Sequence, residues 1–358
     1  TQYLQKQPCL IDIFKNYGIN KDSKIGIIGQ KYFEPEHLKD SNNDVDFFTD
    51  IPCYIVDLLA QIVDRKRIVN FTHVMTNLYD GLRIKIETAK EIAHYEYVAN
   101  KVSNCVINIL KGLKPGISEL DASRNAGYDA SPISMFPIVN FGDKHVFWGL
   151  RSPDHNQLKE GDMITICYGL RGSLVARSGL AVKDKSVIPD YLGDIIEDFY
   201  VPYFMAIVTW YESMKVGANC SEVYSKVMNI IGDIEKFGVS LNPGHNISTD
   251  EWTNSPFFKD SPYKILDGYY LQCDIIASVQ NPIRQAIVED GVIIAGKNLR
   301  DELREQYPDV YKRIQKRREF MMDVLGICLS EDVLPLSNAQ AICHPYMLDT
   351  NTIFTIDK

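Results

Sequence analysis

Two carboxylates and one histidine stand in strand-like or glycine-rich segments of the second half of the sequence. Asp274 falls within the run 269–276, Glu289 follows the apolar run 286–288, and His245 follows a proline and a glycine. A carboxylate within a core strand must be solvated, protonated, paired with a cation or bound to a metal. His245 alone is more typical of a loop histidine that bonds to the backbone. The two carboxylates are therefore the first candidates for chemistry.

The eight cysteines indicate reduced, buried thiols rather than a disulfide framework. None forms a C-x-x-C pair, and most lie in apolar runs, where a thiol behaves as a small hydrophobic group. Cys167 is interpreted as such a thiol and not as a thiolate, since only Arg171 and Arg177 are candidates to lower its pKa. The sequence has neither a membrane-spanning apolar run nor a signal-peptide pattern. A cytoplasmic location is therefore expected.

The formal net charge of −9 argues against a protein that binds nucleic acid through the phosphate backbone. The densest basic run, Lys312–Arg318, lies in a helical pattern. Such a run is more typical of a solvated helix face than of a nucleic-acid contact.

The elements that must position these residues fall into three sections. Residues 1–85 mix strand and helix patterns, 86–296 alternate helices with strands, and 297–358 begin with a long polar helix. Thr88 with a glutamate three residues later predicts a capped helix at the start of the second section, and Ser118 predicts the cap of another. The alternation predicts an α+β architecture.

Five segments, in a fixed order along the second section, carry a resemblance to a known family. They are Glu87–Ile92, Leu113–Glu119, Ser152–Asp154 with Leu158–Asp162, Pro243–His245 and Val288–Asp290. They resemble the opening helix, the helix-to-helix turn, the approach to the first metal strand, the glycine-rich loop and the final strand of the creatinase/aminopeptidase P/prolidase superfamily. The resemblance implies the pita-bread fold. It also implies a partial α/β N-terminal domain, corresponding to the last half of the family's domain, and a helical C-terminal extension.

The resemblance further implies where a two-metal site would lie. Peptidases of the family hold two divalent metals with two Asp, one His and two Glu. Matching the motifs places Cys167 and Ser178 at the two Asp positions, His245 at the His, and Asp274 and Glu289 at the two Glu. Two cations a few ångström apart need bridging carboxylates, so the dinuclear site is expected to be lost. His245, Asp274 and Glu289 remain as the candidate catalytic residues, able to hold at best one weak metal.

Positions that handle protons and orient substrate in the family also differ here. The resemblance places Leu150 and Trp252 at two family histidines and Ile287 at a family arginine. Apolar side chains cannot transfer protons. Leu150 also weakens a comparison with creatinase, which uses that histidine without metal.

The segment 250–256 corresponds to the loop that lines the family's substrate pocket. Asp250, Glu251 and Trp252 would suit a pocket for a cationic or amide-bearing ligand. A polar loop anchored by Trp252 explains the same residues equally well.

Three functions stay open at this point. The first is a non-peptidase that binds a small molecule or peptide in the retained pocket, with Leu150, Cys167, Ser178, Asp250, Glu251 and Trp252 as its binding residues. The second is a hydrolase, either with one Zn²⁺, Mn²⁺ or Fe²⁺ or without metal. The third is a scaffold similar to the peptidase-like domain of some chromatin chaperones. No tightly bound cofactor, nucleic acid or membrane partner is expected, and the resemblance implies a homodimer.

Overall fold

The structure is a computed structural model that describes residues 7–29, 48–148 and 151–357. These residues belong to two compact units, Thr1–Arg83 and Ile84–Lys358. The division of the chain into three sections stays a prediction. The elements of the first unit are α1 (Leu10–Asn16), β1 (Ile25–Ile27), α2 (Cys53–Ala60), β2 (Ile68–Asn70) and α3 (His73–Thr76). β1 and β2 pair in parallel, and α2 contributes Val56 and Leu59 to the small core around them.

An antiparallel sheet of long and short strands forms the centre of the second unit. Within the described residues it has eight strands: β3 (Ile133–Phe141), β4 (Met163–Leu170), β5 (Ser173–Leu180), β6 (His245–Asn246), β7 (Tyr269–Cys273), β8 (Ala277–Val279), β9 (Arg284–Ile294) and β10 (Val333–Pro335). The order is β3-β4-β5-β9-β7-β6, with β8 and β10 also on β9. Every pairing in it is antiparallel. With the surrounding helices, this confirms the α+β class.

β9 runs without interruption through Glu289 and Asp290, although these two residues and Gly291 separate the apolar runs 286–288 and 292–295 in the sequence. Glu289 lies opposite Ala176 of β5, and Asp290 lies opposite Cys273 of β7. Successive side chains of a strand point to opposite faces, so the two carboxylates are separated by the sheet.

The long helix α4 (Ala89–Lys111) covers one part of this sheet. Its predicted capping box is confirmed: the Thr88 side chain accepts from the backbone N–H of Glu91, and the Glu91 carboxylate accepts from the backbone N–H of Thr88. Val102, Val106 and others on its buried face pack with apolar residues of β4. Ser118 caps α5 (Glu119–Arg124) through the N–H of Asp121, also as predicted.

The remaining helices are α6 (Asp143–Trp148), α7 (Val201–Ser213), α8 (Cys220–Ile231), α9 (Ile234–Phe237), α10 (Lys297–Gln306) and α11 (Pro308–Glu319). α7 is preceded by a π-helical turn, Ile196–Tyr200, and α11 is followed by another, Phe320–Val324. Among the described residues, no helix combines the length and apolar character needed to cross a bilayer.

The basic run on α11 is only partly solvated, so the interpretation as a solvated face was wrong for two of its residues. Arg317 and Arg318 are buried. Arg318 donates to the carbonyl oxygens of Ser330 and of Val333, the first residue of β10. Arg313 and Arg317 both donate to the carboxylate of Glu96 on α4, which has no exposed surface. Burial acts to raise the pKa of Glu96, but the hydrogen bonds and charges of the two arginines outweigh it and leave that pKa lowered.

We expect Glu96→Gln to lower the free energy of unfolding by about 2–4 kcal/mol, because it leaves two arginines without their carboxylate. Urea denaturation at neutral pH measures the loss. Glu305→Gln is the control, since Glu305 is an exposed glutamate of α10. The folded pKa of Glu96 lies below the ordinary 4.5, so its contribution is present above that value and is lost as the pH falls through the folded pKa. If the difference in free energy of unfolding between wild type and Glu96→Gln stayed constant as the pH fell below 4.5, the ion pair would be contradicted.

Candidate functional site

One face of the sheet forms the floor of a cavity of about 440 Å³. Alternate residues of three neighbouring strands line it, as the two-residue period of a strand requires. These residues are Thr165 and Cys167 of β4, Leu174 and Ala176 of β5, and Gln285, Ile287 and Glu289 of β9. His245, Glu251, Trp252 and Asp274 close one side.

His245 is held at this cavity by a tight approach of the backbone. Gly244 before it has φ +100°, and a Cβ there would lie 2.7 Å from the Gln272 carbonyl oxygen and 2.9 Å from Nε1 of Trp210. Glycine is therefore required at this position. The ring Nδ1 lies 3.1 Å from the Asn246 carbonyl oxygen. Because that oxygen can only accept, Nδ1 carries the hydrogen, and Nε2 is the nitrogen directed at the carboxylates.

Three carboxylates surround Nε2 of His245. The distances from Nε2 are 3.6 Å to Asp274 Oδ2, 3.7 Å to Glu289 Oε1 and 3.8 Å to Glu251 Oε1. All three exceed hydrogen-bond length. The atoms offered by His245, Glu251 and Glu289 lie within 4.8 Å of one another. The structure thus brings together the three residues predicted as catalytic and adds Glu251 to them.

Several atoms of this group have no hydrogen-bond partner among the described residues. They are His245 Nε2, Asp274 Oδ1 and Glu289 Oε1. Burial, then the neighbouring Glu289, raises the pKa of Asp274 well above its ordinary value, against the opposing effect of His245. Burial, then Glu251, raises the pKa of Glu289 in the same direction. A buried carboxylate without a partner is costly unless it is protonated, paired with a cation or bound to a metal, so these carboxylates are candidate ligands for a cation.

The two positions matched to the family's aspartates do not fit a second metal. Cys167 lines the cavity, but burial and then the charge of Glu289 raise the pKa of its thiol well above 9.0. Ser178 offers a neutral hydroxyl, 2.7 Å from the Ile164 carbonyl oxygen and 3.0 Å from Oε1 of Gln285. Neither group brings the negative charge that a bridged pair of cations needs.

One cation fits the remaining residues. The Nδ1–H group of His245 donates to the carbonyl oxygen of Asn246. Such a hydrogen bond fixes the orientation of an imidazole that ligates a metal through its second nitrogen. Asp274, Glu289 and Glu251 supply oxygen atoms around its free nitrogen. One imidazole with carboxylates suits Zn²⁺, Mn²⁺ or Fe²⁺.

Only some of the other predicted binding residues line the cavity. Trp252 lines the cavity, half exposed, with its ring centre 6.4 Å from that of His245. Asp250 precedes Glu251 but is not among the lining residues. Leu150 lies outside the described residues. Of these predicted residues, Trp252 and Glu251 thus lie at the cavity beside His245.

The sequence did not identify Thr165 and Gln285 as cavity residues. The Thr165 hydroxyl donates to Oε1 of Gln285 at 2.9 Å, and this carbonyl oxygen also lies beside Ser178. The apolar wall, Met135, Ile138, Leu174 and Ile276 among others, was missed too. The sequence did contain a signal for Thr165 and Gln285. Thr165 is two residues before Cys167 and Gln285 is four residues before Glu289, so each shares a strand face with a predicted site residue.

A second group of potential ligands, Glu119 with His145 and Asp154, is structural. Oε1 of Glu119 accepts from the N–H of Phe141 at 2.8 Å, and Oε2 accepts from the N–H of Asp154 at 3.1 Å. Nδ1 of His145 lies 2.8 Å from Oε1. The carboxylate is therefore already satisfied and ties α5 to β3 and the loop that follows.

Comparison with known proteins shows similarity in structure but not in sequence. No family model matches the chain, and no curated protein matches it. The prolidase from Pyrococcus horikoshii OT3 is 16% identical over 81% of this chain and 76% of its own, with a TM-score of 0.60. The Xaa-Pro dipeptidase from Bacillus anthracis is 15% identical over 81% of this chain and 73% of its own, with a TM-score of 0.59. A His243Ala aminopeptidase P from Escherichia coli is 14% identical over 64% and 57%, with a TM-score of 0.52. The chain therefore has the fold of these prolidases and of aminopeptidase P, the pita-bread fold that the resemblance of its motifs implied.

Proposed function

We propose that the protein binds a small molecule or peptide in the cavity through one divalent cation, without the two-metal peptidase activity that the family resemblance implies. One observation carries the proposal. Nε2 of His245 and the oxygens of Asp274, Glu289 and Glu251 converge. Three of these atoms, His245 Nε2, Asp274 Oδ1 and Glu289 Oε1, have no hydrogen-bond partner among the described residues.

The charges of the site favour a cation over a neutral ligand. Three carboxylates against one imidazole leave an excess of negative charge in a largely buried place. The oxygens that face His245 lie too far from it for hydrogen bonds, so the ring offsets their charge only in part. His245, Asp274 and Glu289 would hold the cation, and Glu251 would complete the set. When bound, such a cation supplies a Lewis acid for a ligand oxygen.

The walls of the cavity favour a ligand with an apolar part. Met135, Ile138, Leu174, Ile276 and Ile287 form much of the lining. Thr165 and Gln285 add a hydroxyl and an amide that can orient a polar group. Apolar walls with few polar groups are typical of sites for small molecules.

Loss of the two-metal chemistry rests on Cys167 and Ser178. A protonated thiol and a hydroxyl bonded to backbone and amide oxygens cannot replace two aspartates. The homodimer and the cytoplasmic location expected from the sequence remain predictions.

We expect the purified protein, equilibrated with Mn²⁺ or Zn²⁺ and desalted, to retain about one cation per chain, the number that one His and three carboxylates accommodate. Elemental analysis measures it. His245→Ala and Glu289→Gln should each remove the cation. Asp250→Asn, in the same loop but off the cavity lining, should keep it.

Two cations per chain in the wild type would contradict the loss of the dinuclear site. No retained cation, or equal retention by wild type and His245→Ala, would contradict the single site. Circular dichroism of each variant separates a lost site from a lost fold.

A second function, hydrolysis of an amide with one metal, is favoured by Glu251. Its side chain is 34% exposed, whereas that of Asp274 is 12% and that of Glu289 is 7% exposed. Glu251 is thus the carboxylate best placed to exchange a proton with solvent, as a general base must.

We expect Glu251→Gln to distinguish the two functions. If Glu251 is a ligand, cation retention falls and no turnover is measured in wild type on Xaa-Pro dipeptides or other amides. If Glu251 is a base, wild type turns over an amide, and the variant keeps its cation while turnover falls by about 10²-fold or more. Turnover unchanged in Glu251→Gln would exclude the role as a base.

A further inference from the structure

A second cavity, of about 250 Å³, lies where α11 meets the segment after β10. Three cationic side chains line it, Arg313, Lys316 and Arg317, and the other lining residues are Phe320, Ser337, Asn338 and Gln340. It shares no lining residue with the cavity around His245. We propose that this second cavity binds a phosphate group.

The spacing of the three cations places them on one side of the helix. Residues three and four apart are neighbours on a helix surface, and Lys316 and Arg317 lie three and four residues after Arg313. Lys312 belongs to the same basic run but is exposed and does not line the cavity. The basic run is therefore divided between a solvated part and a part that builds a concave site.

Glu96 holds the two guanidinium groups in place. Its carboxylate accepts from Nε and Nη2 of Arg313 at 2.9 and 2.6 Å, and from Nη2 of Arg317 at 2.8 Å. Oδ1 of Asn338 accepts from Nε and Nη2 of Arg317 at 3.0 and 2.9 Å. Each arginine thus has two of its three guanidinium nitrogens, Nε and Nη2, held by hydrogen bonds, which reduces the entropy lost when an anion binds.

Other donors of these side chains have no acceptor among the residues that the structure describes. Arg317 is 9% exposed, and its Nη1 has no partner among the described residues. Leaving a buried donor without an acceptor is unfavourable, and more so when the donor is charged. Nη1 of Arg313 and Nζ of Lys316 have no hydrogen bond recorded within the described residues either. Three donors around one concave site match an oxyanion with several acceptor oxygens.

The neutral groups of the cavity do not supply the missing acceptors. Oε1 of Gln340 already accepts from the N–H of Leu336 and of Ser337, and Nε2 of Gln340 donates to the Tyr211 hydroxyl. Glu96, hydrogen bonded, and Asp309, at longer range, are the carboxylates whose charges act on Arg313. The three lining cations exceed the one carboxylate bonded to them, so the cavity keeps an excess of positive charge.

The test is calorimetric titration of the full chain with inorganic phosphate, and separately with phenyl phosphate, at constant ionic strength set with chloride. Lys316→Gln removes one lining charge from an exposed position without touching the Glu96 pair. Lys312→Gln is the matched control, with the same change of charge on the same helix. We expect both ligands or one of them to bind wild type and Lys312→Gln equally, and Lys316→Gln about tenfold more weakly.

Tighter binding of phenyl phosphate would assign the site to the phosphate of a larger molecule, and tighter binding of inorganic phosphate to the free ion. Both results support the proposal. Absence of binding at millimolar concentrations, or equal weakening by Lys312→Gln and Lys316→Gln, would overturn it, since general charge attraction would then account for any effect. His245→Ala should leave phosphate binding unchanged, which keeps this test separate from that of the metal site.

Discussion

The buried ion pair between Arg177 and Asp290 fixes the strands on which the site is built. Nη2 of Arg177 donates to Oδ2 of Asp290 at 2.7 Å and to the Ala339 carbonyl oxygen, and its Nη1 donates to the Glu289 carbonyl oxygen. The N–H of Ala341 donates to the same carboxylate oxygen. A buried pair stabilises only when its geometry and its further hydrogen bonds offset desolvation. Here they join β5, β9 and the segment after β10, and so specify one register. A slip of one residue would exchange Glu289 and Asp290 between the two faces of the sheet.

Strand β9 therefore carries two adjacent carboxylates, of which one is paired with a cationic side chain and the other is not. Asp290 is compensated by Arg177 on one face. Glu289 faces the cavity, where Asp274 and Glu251 add negative charge and the nearest cationic candidate, His245, stands beyond hydrogen-bond distance. A carboxylate that the protein pairs with its own arginine is structural, whereas a buried carboxylate without such a pair must be protonated, solvated or bound by a cation. This contrast between adjacent residues is the physical basis for proposing a function on one face of the sheet.

The sequence could predict local features and the order of the motifs, but not which face each side chain would join. The caps at Thr88 and Ser118 depend on residues three positions apart, and both predictions are confirmed. Arg177 was considered a neighbour that could lower the pKa of Cys167, yet it lies on the opposite face, and that pKa is raised. The partner of the basic run, Glu96, is more than 200 residues away along the chain. A contact of that separation leaves no periodicity in the sequence, so burial of Arg317 could not be predicted.

The position of Glu251 changes the expected charge of the site, in which Cys167 and Ser178 stand at the family's two aspartate positions. The resemblance implied a site with four carboxylates, whose charge matches two divalent cations, and it identified Asp274 and Glu289 as the carboxylates that remain. Glu251 enters from a loop on the other side of His245 and raises the number to three. Three carboxylates exceed the charge of one divalent cation but fall short of that of two. Cys167 and Ser178 contribute no charge to the site. The carboxylates therefore lie around one atom, Nε2 of His245. Under the proposed function, the substitutions would move the site toward one cation beside an apolar wall, and the space of the second metal would be open to a ligand.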